Sequence, residues 1–185
     1  SRIEMLSGTS ESFEPLLDMS SRLGIKIHDV TETFTRFQIA NTVMKRTQDE
    51  LEAMTETVIT LGMVSGGTTA EISNGLRQLG QGLASNRLSG DELRSVLENI
   101  PLVAVKLADE LGVNVGVLRE MGTAGELTGE VVGNALVNIQ KEAESLQALI
   151  PDTTEKAFNR VSNAWQKFIY SLVDGSDGVS LTVKA

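Results

Sequence analysis

Between Arg87 and Leu136 the chain repeats one helix-start instruction three times, and that repetition constrains the fold more than any other feature. The starts read Leu88-Ser89-Gly90-Asp91-Glu92-Leu93, Val113-Asn114-Val115-Gly116-Val117-Leu118 and Leu127-Thr128-Gly129-Glu130-Val131-Val132. Each sets an apolar residue before a capping Ser89, Asn114 or Thr128 and closes on another apolar residue, the spacing of a hydrophobic staple. Short helices with fixed approach angles follow, joined by tight turns such as the one at Gly112. The segment contains no catalytic vocabulary.

Apolar residues recur at helical spacing almost everywhere else. Phe13, Leu16, Leu17, Ser20 and Leu23 share a face that stops at Gly24, and Val30, Phe34, Phe37, Asn41 and Met44 share another. Thr47-Gln48-Asp49-Glu50 and Thr68-Thr69-Ala70-Glu71 are capping boxes for two further helices, the first expected to end at Gly62 and both separated by Gly66-Gly67. Gly75, Gly80 and Gly82 predict close helix contacts or early fraying in the second of these. Pro101 ends one short helix and can open the next. A single helix is expected from Gly129 to about Leu149, closed by Pro151. Period-2 alternation is confined to Gly24–Ile27 and Val179–Val183, so strands are marginal.

These patterns specify an all-α protein: a compact bundle of about eight or nine short helices with helix-turn-helix-like units. Aromatic residues are only 4%, so the core must be built from Leu, Val, Ile, Met and Ala. Residues 1–150 are read as the helical domain, and residues 151–185 as an amphipathic terminal helix leading into missing downstream sequence. That helix, Thr154 to about Val173, places Phe158, Val161, Trp165, Phe168 and Leu172 on one stripe. It holds the single Trp and follows a proline break, which makes those five residues the candidate protein-interaction face, or else a simple core face. Ser1 in place of an initiating Met and the unmarked end at Ala185 are read as the limits of a piece of something longer.

Charge and composition exclude several functions. A net charge of -9 repels phosphate backbones and anionic membranes, so neither tight nucleic-acid binding nor membrane contact is expected. The run Leu107 to Met121 has the small Ala108 and turn Gly112 of a helix-turn-helix, but its second helix offers Arg119 as the single base-competent cation. From Ser85 to Glu130 four cations face eight carboxylates, the wrong balance for a DNA reader. A helix-turn-helix DNA-binding or regulatory module is nevertheless the alternative reading. With no cysteine and the single His28, the chain has no familiar zinc set, and His28 reads as a surface or capping residue. The pairs Asp49-Glu50, Asp91-Glu92 and Asp109-Glu110 lie at helix starts or solvent faces, where carboxylates complement the helix dipole. A carboxylate hydrolase would need two such groups in one cleft. No catalytic, cofactor-binding or metal residue is assigned.

The segment Leu79-Gly80-Gln81-Gly82-Leu83-Ala84-Ser85-Asn86-Arg87-Leu88-Ser89-Gly90-Asp91-Glu92-Leu93-Arg94 resembles a landmark of the N-terminal tape-measure domain of bacteriophage and prophage tail tape-measure proteins. Asn86 stands where that family commonly has Gly or Lys-Gly. Ile100-Pro101, Leu107-Ala108, Leu111-Gly112-Val113, Leu118, Met121 and Gly125-Glu126-Leu127-Thr128 match further landmarks in order, and Phe34, Phe37, Gln38 and Ala40 are similar to the family's aromatic helix. The resemblance covers about Leu16 to Leu136, and the Thr153 to Leu172 helix looks like the family's continuation. It implies a non-enzymatic role in which an extended full-length protein sets tail length inside the tail tube and leaves during genome delivery. It implies as partners the tail tube, tail tip or baseplate proteins and tail assembly chaperones, with self-association into a homo-oligomer also in view. It implies location in the virion tail and, during assembly, in the host cytoplasm.

Overall fold

The computed structural model describes residues 10–174, with side chains over 13–169. The described residues are all-α: α1 (Ser10–Leu23), α2 (Ile27–Met44), α3 (Gln48–Val64), α4 (Thr69–Ala84), α5 (Gly90–Asn99), α6 (Pro101–Glu110), α7 (Val115–Ala124), α8 (Gly129–Asn138), α9 (Gln140–Leu146), a 3-10 turn (Gln147–Leu149) and α10 (Thr154–Asp174). Of the alternating Gly24–Ile27 segment, residues 24–26 form the turn and Ile27 opens α2, and the segment at Val179–Val183 lies outside the described residues. The chain divides into two compact units. One is His28–Asp152, and the other joins the two ends, residues 1–27 with 153–185. In this division α1 groups with α10.

In the larger unit the buried helix α3 packs against α4, α6, α8 and α9. Its start is set locally: the Glu50 amide donates to Thr47 Oγ1 (3.2 Å) and the Thr47 amide to the Glu50 carboxylate (2.9 Å). α4 starts the same way, with the Glu71 amide donating to Thr68 Oγ1 (3.3 Å) and the Thr68 amide to the Glu71 carboxylate (2.7 Å). These reciprocal bonds satisfy amides that a helix start otherwise leaves orphaned. They also hold the Glu50 and Glu71 carboxyls below the usual carboxylate range, because the capped backbone N–H bonds the charged form. Leu51, Met54, Val58 and Leu61 are buried, as are Leu76, Leu79 and Leu83 of α4, Leu107 of α6 and Val132 and Leu136 of α8, in a core closed to water.

Two expectations for this unit are corrected. α3 does not stop at Gly62 but continues to Val64. Gly62 and Gly75 are instead the two small surfaces that accept the wholly buried Ile100, whose side chain would lie 3.2 and 2.8 Å from a Cβ at each position. Gly80 accepts the stem of Arg36 and Gly82 the side chain of Leu88, so the glycines of α4 mark close approach, and the helix runs unbroken to Ala84. The helix expected from Gly129 to about Leu149 is divided at Ile139 and Gln147 into α8, α9 and the 3-10 turn. No Pro or Gly stands at Ile139. Leu136, Ile139, Ala143 and Ile150 are buried on both sides of that break, at spacings of three, four and seven residues that keep to one helix face.

Candidate functional site

The smaller unit packs α10 on α1. α10 begins after Pro151, with Thr153 as its cap: the Lys156 amide donates to Thr153 Oγ1 at 3.1 Å. The face that α10 buries is polar. Asn163 is 1% exposed, and its Nδ2 donates to the Ile25 carbonyl at 2.7 Å while its Oδ1 accepts the Ile27 amide at 3.4 Å. Asn159 Nδ2 donates to the Gly24 carbonyl at 3.2 Å, and Arg160 reaches the Arg22 carbonyl at 3.4 Å.

The reason lies in the turn after α1. Gly24 has φ +72°, and Ile25 and Lys26 are outside any helix; the Gly24 and Ile25 amides donate back to the Ser20 carbonyl (2.9 and 3.2 Å), while the Gly24 and Ile25 carbonyls point away from that ladder. Buried backbone groups must find partners, and the amides of Asn159 and Asn163 supply them. Gly24 is also the position over which the Lys156 stem lies, so that a Cβ there would meet Lys156 Cγ at 2.1 Å. Positive φ and close approach both require glycine at this one residue.

The consequence is that the apolar stripe of α10 faces water. Phe158 and Val161 are each 70% exposed and Trp165 63%, with Phe168 and Ile169 also exposed. The Trp165 and Phe168 rings lie with centroids 5.7 Å apart and planes tilted by 38°, a favourable aromatic arrangement that holds both in place. Among the candidate interaction residues, Phe158, Val161, Trp165 and Phe168 therefore form one exposed surface. The side chain of Leu172 lies outside those described. Sequence periodicity found the stripe but not its direction. The signal that carries the direction is Lys156, Asn159 and Asn163, three polar residues at helical spacing on the opposite face.

The candidate turn and cap residues sit in the larger unit. Asn114 Oδ1 accepts the Val117 amide (3.0 Å) and Thr128 Oγ1 the Val131 amide (3.3 Å). Ser89 stands at the start of α5 with extended backbone, but its side chain makes no cap bond. Gly112, at φ +68°, lets the chain turn from α6 into α7 while the Val113 amide donates to the Ala108 carbonyl (2.9 Å). This α6–α7 turn presents exposed Asn114, Gly116, Arg119 and Glu120. One cation next to a carboxylate offers little to a phosphate backbone.

The ionisable groups that cluster elsewhere are paired with one another. Glu32 accepts from Arg36 (2.8 Å), with Arg77 and His28 each 3.7 Å away, and the Arg36 hydrogen bond holds its carboxyl below the usual range. His28 itself is largely exposed. Lys106 meets Glu142 at 2.6 Å, which raises the ammonium above its ordinary value. Among the described residues no group of three or more His, Cys, Asp or Glu could hold a metal, and no helix is long and apolar enough to cross a membrane.

No curated protein and no solved structure matches the chain. The family model described as Tape measure protein matches residues 3–174, which takes in both compact units and the exposed stripe of α10. A helical, capped framework that carries an exposed apolar helix face suits an assembly component, and the chain belongs to the tape measure protein family, structural proteins of the phage tail.

Proposed function

We propose that this chain is a non-catalytic assembly domain of a tail tape-measure protein, acting in tail-length determination and tail assembly through protein–protein contacts, and that the outward face of α10 is the surface through which it does so. One observation carries the reading. α10 uses its polar residues to hold the turn after α1 and leaves Phe158, Val161 and Trp165 in water, an arrangement that costs solvation unless a partner covers it. Tail tube, tail tip or baseplate proteins and tail assembly chaperones are the partners this reading names, met in the host cytoplasm during assembly and in the virion tail afterwards.

The test is to carry Trp165→Glu in the full-length protein of an infecting phage and to count tails by electron microscopy. The reading predicts a folded protein, few or no normal tails and a sharp fall in titre. Normal tails of normal length at unchanged titre would contradict it.

A further inference from the structure

The larger unit carries a feature that neither its core nor its turns use. The apolar residues of α4 and α5, among them Leu76, Leu79, Leu93 and Val96, are buried, which leaves the polar faces of both helices to meet at the surface. There a cleft of about 330 Å3, open to solvent, is lined by Asn74 and Gln78 from α4 and by Ser95, Glu98 and Asn99 from α5, together with the Asp91–Arg94 ion pair. We propose that this cleft receives an arginine side chain from a basic segment of a partner protein.

The polar atoms of the cleft are arranged to accept hydrogen bonds. Asn74 Nδ2 donates to Ser95 Oγ at 3.2 Å, and Asn99 Nδ2 donates to the same oxygen at 2.9 Å and to the Ser95 carbonyl at 2.9 Å. One serine thus fixes two amides by their nitrogens and leaves both Oδ1 atoms as unused acceptors. Glu98 adds a carboxylate with no ion-pair partner among the described residues, while Arg94, the cation of the lining, is already bound to Asp91. Two amide oxygens and a carboxylate in one opening suit a flat, many-donor cation. A guanidinium carries five N–H groups in a rigid fork and can reach a carboxylate and a neighbouring carbonyl oxygen together, whereas an ammonium meets them as a point charge. An apolar ligand would strip water from the amides and return nothing, and an anion would meet Glu98.

Size and charge name the source of that cation. The cleft lies at the lower end of the range for small-ligand sites, about 300 to 1,000 Å3, room for one long side chain and not for a folded element. The chain as a whole carries a net charge of -9, a field that draws basic partners and orients them as they approach. Because the Asn74 and Asn99 amides are already held by Ser95, they lose little freedom when an arginine enters. Arginine is also among the residues that most often anchor protein interfaces.

Titration of the 15N-labelled chain with the peptide acetyl-Gly-Arg-Gly-amide, followed by NMR at the side-chain amides of Asn74, Gln78 and Asn99, tests the proposal. Two further peptides carry citrulline, which keeps the shape and loses the charge, or lysine in place of the arginine. The expected result is saturable shifts of those amides with the arginine peptide, weaker binding of the lysine peptide and none of the citrulline peptide. Glu98→Gln should weaken the arginine peptide about fivefold, the upper end for an exposed ion pair, and Glu120→Gln, at an exposed carboxylate of α7, should leave it unchanged. Shifts that do not saturate, a citrulline or lysine peptide that binds as well as the arginine one, or binding untouched by Glu98→Gln would each overturn the proposal. The tail count for Trp165→Glu is independent of this result, because the cleft shares no residue with α10.

Discussion

The helices from α2 to α9 and the single helix α10 obey opposite rules. In the larger unit, apolar stripes are buried: Leu51, Met54, Val58 and Leu61 on α3 are at most 3% exposed. In α10 the stripe is exposed from Phe158 to Phe168, and the buried residues among those described are Lys156, Asn159 and Asn163. Both are amphipathic helices of ordinary composition, so amphipathicity by itself does not say which face is covered. What decides is the neighbour. α3 meets other apolar stripes, where burial gains roughly 25 cal/mol per Å2. α10 meets an open turn whose backbone groups would otherwise be buried without partners, a loss of about 1–3 kcal/mol each.

Substitutions can break this contrast from either side. The largest effect is expected at Ile100, the wedge between Gly62 and Gly75. Ile100→Ala leaves a cavity between two glycines that have no side chain to refill it, and should lower unfolding free energy by about 2–5 kcal/mol, measured by urea denaturation. A loss well under this range would mean that α3 and α4 close up on the vacancy. Next comes Asn163→Ala, which strips partners from the Ile25 carbonyl and the Ile27 amide. It should cost about 1–3 kcal/mol and speed hydrogen exchange at Ile27, while a purely apolar docking of α10 would leave that exchange unchanged.

Thr68→Ala should cost about 1 kcal/mol as a lost helix cap. It should also blunt the acid sensitivity that Glu71 brings. The Glu71 carboxyl is held below its ordinary value by the Thr68 amide, which the variant keeps, and by the Thr68 hydroxyl, which donates to it at 2.9 Å and is lost. Its stabilising contribution is therefore complete above the ordinary carboxylate range and lost as pH falls through the lowered value. Stability curves of the variant and the parent should draw together on acidification, and parallel curves would show that the Thr68 hydroxyl does not act through this carboxylate. The smallest effect on unfolding is predicted for Trp165→Ala, within about 0.5 kcal/mol as for other exposed sites, although it removes the largest side chain of the chain. A loss as large as that at Ile100 would place Trp165 in a core.

These contrasts follow what was legible in the sequence. Capping boxes at Thr47 and Thr68, the turn glycines at 24 and 112 and the apolar stripes of α3 and α4 are local signals, each written within a few residues of where it acts. The resemblance to tape-measure proteins rested on the same local landmarks, and the family match extends it across residues 3–174. The division of the Gly129 helix at Ile139 was not legible, because no breaking residue marks it and the buried Leu136, Ile139 and Ala143 keep the spacing of one continuous helix face. The direction of the α10 stripe was hidden for a related reason. The bond that fixes it joins Asn163 to Ile25, residues 138 positions apart, and no window along the chain contains both.

The central claim is that the apolar face of α10 lies in water in the monomer and is covered by a partner. Trp165 is the chain's one tryptophan, so its emission and its quenching by acrylamide report on that face alone. The account predicts red-shifted, readily quenched emission from the isolated chain. Blue-shifted, protected emission that does not change on dilution would contradict it, because Trp165 would then be buried within its own chain.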